Sequence, residues 1–107
     1  MKELTDLVRE FNEARNWRRF HDPRSLVLAL CGEVGELAQL FRWRTHSGKR
    51  FSATKRKSVE NEVADVFIFL LALCVELEID PEVIIRMRLQ ENEQRFPIKD
   101  KVQDERL

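Results

Sequence analysis

The feature that most constrains this chain is a pair of carboxylate couplets set inside apolar helical runs. LVLALCGEVGELAQLF, residues 26–41, carries Glu33 and Glu36; VENEVADVFIFLL, residues 59–71, carries Glu62 and Asp65. At about 100° per residue, a spacing of three keeps both acids of a couplet on one helical face. Glu33 and Glu36 share theirs with Leu26, Ala29 and Leu40, while Gly35, Gln39 and Arg42 fall on the other side. Glu62 and Asp65 share a face with Phe69 and Leu73. Four acids therefore point toward apolar neighbours.

Such placement is costly. An ionised carboxylate in apolar surroundings either takes up a proton or acquires a cation, and four together repel one another. Neighbours three and four residues away within each helix are mostly apolar or small, so a divalent cation is the economical partner. An all-oxygen donor set favours Mg²⁺, with Mn²⁺ as a substitute, over zinc. The Glu-x-x-His pairs of di-iron bundles are not matched, because Glu36 and Asp65 stand where histidines would.

Glu33/Glu36 followed by Glu62/Asp65 resembles the all-α, MazG-like nucleoside triphosphate pyrophosphohydrolases. RNWRRFHDPRSLVLALCGEVGELAQLFRW, residues 15–43, looks like the dCTP pyrophosphatase branch, as does RMRLQENEQRFP, residues 86–97. The likeness covers roughly residues 11–97. It implies a four-helix MazG-like bundle subunit that assembles into a homo-oligomer, a tetramer before a dimer. It also implies Mg²⁺-dependent hydrolysis of dCTP, or a 5-substituted dCTP, to the monophosphate and pyrophosphate, in pool sanitation or balance. Glu33, Glu36, Glu62 and Asp65 would be the metal ligands and catalytic acids, with one of them open to a general-base role. Trp17, His21 and Trp43 would enclose the base; Arg88, Asn92 and Arg95 would contact phosphates or sugar. The family's aromatic hydroxyl four residues after the last acid is Phe69 here, which implies weaker sugar discrimination. A broad-specificity enzyme and a non-catalytic helical module binding Mg²⁺ or nucleotide are the alternatives.

The chain has 107 residues, one domain's worth; residues 1–98 read as that domain and 99–107 as a charged, frayed tail. Hydrophobic residues at 43% with 36% charged, no Tyr and 3 Gly suit an all-α fold. A formal net charge of zero gives no reason to expect a nucleic-acid polymer, and KRFSATKRK, residues 49–57, is too isolated to reverse that. The longest apolar run, residues 66–75, falls short of the ~20 residues of a membrane span. MKELTDLVREF reads as an amphipathic helix and not as a signal peptide. Cys31 and Cys74 fit no metal or redox spacing and read as reduced core residues of a cytoplasmic protein.

Four helices follow from local signals. Leu4, Leu7, Val8 and Phe11 set the packing face of the first, to about Arg15. Asn16 to His21 is a loop whose Trp17 and Phe20 are anchors by their own chemistry. Asp22-Pro23 and Asp80-Pro81 are cap-then-proline starts for the second helix, to about Arg44, and the fourth, ending before Pro97. Gly32 and Gly35 weaken the second helix and suggest close approach of another helix or ligand. Thr45 to Phe51, with Gly48 and a solvated His46, is a loop. Ser52 caps the third helix, to about Leu77. Lys55 lies seven residues before Glu62, on the carboxylate face, where it suits a substrate phosphate; Arg56 and Lys57 read as solvated. Residues 63–75 are apolar nearly all round, which calls for cover by another subunit. Arg88, Asn92 and Arg95 approximate one line on the fourth helix, open to either a solvated or a binding role.

Overall fold

Cap chemistry fixes where the helices begin. In a computed structural model that describes residues 1–42 and 52–98, α1 spans Lys2–Ala14, α2 Pro23–Leu40, α3 Ala53–Leu77 and α4 Pro81–Arg95. The Asp22 carboxylate accepts from the Ser25 amide at 2.8 Å and the Ser25 hydroxyl at 3.0 Å. Asp80 Oδ1 accepts from the amides of Glu82 at 2.9 Å and Val83 at 3.3 Å, and Ser52 Oγ from the Lys55 amide at 3.1 Å. Each cap satisfies amide donors that the first helical turn leaves without intrahelical partners. Glu78, in the left-handed conformation at φ 56°, closes α3 two residues before the Asp80 cap. Between α1 and α2, Asn16 at φ 57° reverses the chain into a 3₁₀ turn, Arg18–Phe20. No strand occurs among the described residues, so the all-α expectation holds.

The main packing is α2 on α3, with α1 laid on α3. The core is slight: Leu26 at 2% exposure, with Leu71, Ala72 and Val75. α1 presents Thr5 and Asn12, 8% and 6% exposed, to the interior, while Leu4, Leu7 and Phe11 face outward. The expected packing face is therefore the wrong one; only Val8 of it is half-buried. Thr5 is reconciled with its position by a local bond, Oγ1 donating to the Met1 carbonyl at 2.9 Å; at Asn12 the main-chain carbonyl accepts from the Trp17 amide at 2.9 Å, which closes the end of α1.

Three further expectations are corrected. Cys31 is exposed, and only Cys74 is half-buried, so just one free thiol is near the core. A Cβ built on Gly32 or Gly35 would meet nothing within 4 Å, so among the described residues no other helix approaches them. α2 ends at Leu40, and Arg44 and the loop of residues 45–51 lie outside the described residues.

α4 barely touches the rest of the chain. Val83, Ile84, Ile85, Met87 and Leu89 are all exposed along it, as are Val63, Phe67 and Ile68 on α3. The extents of 54 × 37 × 24 Å and a radius of gyration of 17.5 Å exceed the ~13 Å of a compact domain of about 100 residues.

Leu26→Ala removes the most enclosed apolar side chain and is expected to cost about 2–4 kcal/mol in denaturant unfolding. Leu28→Ala, one helical step round to an exposed position, serves as the contrast and should leave the α2 and α3 packing within one protomer unchanged.

Candidate metal and substrate site

The α2 and α3 seam brings the two couplets together. One carboxylate oxygen each from Glu33, Glu62 and Asp65 lie within 4.8 Å of one another. Glu36, more exposed, hydrogen-bonds with the carboxyls of Glu33 and Glu62. Glu33 thus meets Asp65 and Glu36 meets Glu62, a register in which the two helices run antiparallel. None of the four acids forms a salt bridge among the described residues.

Burial raises the Glu33 carboxyl above the ordinary 4.5, and the charges of Glu36 and Asp65 push it the same way. Glu62 is raised first by burial, then by its hydrogen bond with Glu36 and the charges of its neighbours. Oε2 of Glu33 and Oε2 of Glu62 are both buried with no hydrogen-bond partner. Buried acceptors of this kind are costly unless something fills them. A hard divalent cation fits the chemistry of this donor set: three carboxylates gathered this closely, all oxygen donors, with two buried oxygens unpartnered.

The other described sequence-derived residues sit on the turn before α2, on α3 and on α4. Trp17 is exposed, its ring edge-on to Phe11 at 5.7 Å. His21 is half-buried, and its Nδ1 has no partner. Lys55 and Phe69 are half-buried on α3. On α4, Arg88 pairs with Glu91 at 3.1 Å, and the Arg95 guanidinium lies 5.0 Å from the centre of the Phe96 ring. Asn92, also half-buried, keeps its Oδ1 enclosed and without a partner. Trp43 falls outside the described residues.

One contact was invisible in the sequence. Arg18 Nε donates to Glu76 Oε2 at 2.9 Å, tying the 3₁₀ turn to α3 across 58 positions. The antiparallel register is the only signal that could have found it: Glu33 opposite Asp65 puts the start of α2 opposite residue 76.

The described residues define an all-helical chain with an acidic cluster, built from two helices, whose oxygens are close enough together to take a cation. The chain belongs to the all-α, MazG-like nucleoside triphosphate pyrophosphohydrolases, on its likeness to known proteins. It is 37% identical over 100 residues to dCTP pyrophosphatase 1 of Homo sapiens, and 38% identical over 101 residues to that of Mus musculus. These alignments take in 91% and 92% of this chain and 59% of each relative, so the chain spans about three-fifths of their length. A pyrophosphatase of Archaeoglobus fulgidus superposes with a TM-score of 0.80 at 38% identity, covering 92% of this chain and 93% of that one. No family model matches the chain.

The raised acids give a signed pH dependence. With metal absent, the folded state holds protons on Glu33 and Glu62 that the unfolded chain has released, so stability falls as pH climbs from 4.5 through their raised values. Melting in EDTA should show that fall, and millimolar Mg²⁺ should reverse it at neutral pH. An unchanged melting temperature on adding Mg²⁺ or Mn²⁺ would argue against a cation at these acids.

Proposed function

We propose that this chain hydrolyses a nucleoside triphosphate, dCTP or a 5-substituted dCTP first, to the monophosphate and pyrophosphate. The observation that carries the reading is the convergence of Glu33, Glu36, Glu62 and Asp65, with two buried carboxylate oxygens unpartnered. The names of the relatives support the chemistry and the base.

A bound Mg²⁺ or Mn²⁺ would supply Lewis acidity and acidify a water. The four acids would hold that cation, with one of them taking the proton of the attacking water. Water oxygen forms a bond to phosphorus as the α–β anhydride bond breaks, and pyrophosphate leaves with the electron pair. Lys55, Arg88 and Arg95 are the proposed cationic contacts for the phosphates, and Asn92 offers its enclosed amide oxygen to a sugar or base donor. Trp17, His21 and Trp43 form the base pocket. Stacking on tryptophan accepts any base, so cytosine selection rests on hydrogen bonds, for which His21 Nδ1 is available. Phe69 offers no hydroxyl, so the sugar is read loosely.

The working form is a homo-oligomer, with a tetramer favoured, in the cytoplasm. The uncovered apolar rows on α1, α3 and α4 support assembly. Two free cysteines fit a reducing compartment. No described helix is long and apolar enough to cross a membrane.

The test is pyrophosphate release with Mg²⁺ across all canonical ribo- and deoxyribonucleoside triphosphates and 5-methyl-dCTP. Preference for dCTP and its 5-methyl form is expected; broad activity would discard the cytosine pocket, and none would leave a binding module. Glu36→Gln and Asp65→Asn should each lower kcat by at least about a hundredfold while circular dichroism stays helical. Light scattering at micromolar concentration should give a multiple of 12.8 kDa; a stable monomer there would defeat the assembly.

A further inference from the structure

We propose that the ion pair between Arg18 and Glu76 is a positioning clamp, which holds the Trp17 to His21 segment against α3 so that the base meets its pocket. This deepens the pyrophosphohydrolase reading and rests on it.

Main-chain bonds give the segment its shape without tying it to α3. The Trp17 amide donates to the Asn12 carbonyl at 2.9 Å, the Phe20 amide to Trp17 at 2.8 Å, and the His21 amide to Arg18 at 3.0 Å. Arg18 supplies the tie. Its Nε donates to Glu76 at 2.9 Å and its Nη1 to Glu13 at 3.1 Å, so one guanidinium joins the end of α1, the turn and α3. Every other ion pair given for the described residues spans four positions or fewer. Glu76 is half-buried, with its side chain at 20% exposure, which limits screening by solvent.

The two groups that recognise the base flank this tie. Trp17 is its chain neighbour, and His21 hangs from the Arg18 carbonyl by its own amide. The imidazole Nδ1 is enclosed and unpartnered. Glu76 lies eleven residues beyond Asp65 on α3, about 16 Å along the helix. Nothing in the clamp touches the acids. Loss of the tie should therefore loosen base recognition and leave the cation site intact. Small misplacements of this kind cost binding out of proportion to their size.

The experiment is a double-mutant cycle of Arg18→Met and Glu76→Gln, with Arg18→Lys as the conservative variant. Steady-state kinetics with dCTP at saturating Mg²⁺ should show KM raised about fivefold in each single variant, with kcat nearly unchanged. The double variant should be no worse than either single, since both remove one interaction. Arg18→Lys, which keeps the charge but not the fork, should fall between. The concentration of Mg²⁺ giving half-maximal rate should not move. In a Trp43→Phe background, acrylamide should quench Trp17 fluorescence more strongly in both single variants. Unchanged KM in an active enzyme, additive losses, or a fall in kcat with KM constant would overturn the clamp. If the unsubstituted protein hydrolyses no triphosphate, the functional reading fails instead. Quenching then decides the structural half alone, and unchanged quenching overturns it.

Discussion

Mutual repulsion among four carboxylates in the α2 and α3 seam is the constraint on which the rest of this structure depends. The seam is also where the chain keeps its principal helix packing, so the most valuable apolar contact is interrupted by its most costly polar one. Leu26 lies two turns before Glu33 on α2, and Leu71, Ala72 and Val75 lie beyond Asp65 on α3. The apolar core thus occupies one end of the seam and the acids the other. A cation that binds only the folded arrangement would add stability by mass action, in proportion to the logarithm of its concentration. Folding and loading are then linked through the same four residues.

The register that pairs Glu33 with Asp65 and Glu36 with Glu62 has consequences far from the acids. It sets the start of α2 beside the last turns of α3, where Arg18 finds Glu76. A shift of one residue would rotate the acids out of the seam and move Glu76 away from the turn, so both ends specify the same alignment. α4 is under no such control. It begins at a firm cap, Asp80 with Pro81 buried behind it, and then leaves the bundle with its apolar residues uncovered. A helix that is mixed on all sides gains no stability from amphipathic packing within the chain. Cover from another subunit is the physical remedy, and it is part of the proposed assembly.

Local chemistry was legible and long-range choice was not. Asp22-Pro23, Ser52 and Asp80-Pro81 announced three helix starts because a cap is settled within four residues. The acid couplets were legible because spacing alone puts both members on one face. The packing face of α1 was misread, since periodicity finds an apolar stripe but not whether this chain or another covers it. Thr5 took the interior by satisfying its hydroxyl locally, and Asn12 sits where α1 meets the turn. Cys31 sits in an apolar run that reads as core, yet α2 has an outward side that its partner α3 does not reach. Gly32 and Gly35 hint at close approach, and among the described residues they face open space. Arg18 and Glu76, 58 positions apart, belong to no shared period.

The placement of groups along α3 also bears on how such a protein varies its specificity. The acids sit near its middle and the clamp at its last turns, about 16 Å apart along the axis. In the proposed reaction, charge compensation at the phosphates needs all four carboxylates in fixed geometry, so that region tolerates little change. The turn between α1 and α2 is held by the two ion pairs of Arg18, only one of which reaches α3, by one ring contact and by its own main-chain bonds. A short segment tied at one point can exchange its aromatic and polar groups without disturbing the seam. In the proposed reaction, chemistry and base choice are therefore separable, with Phe69 lying between the acids and the clamp along α3.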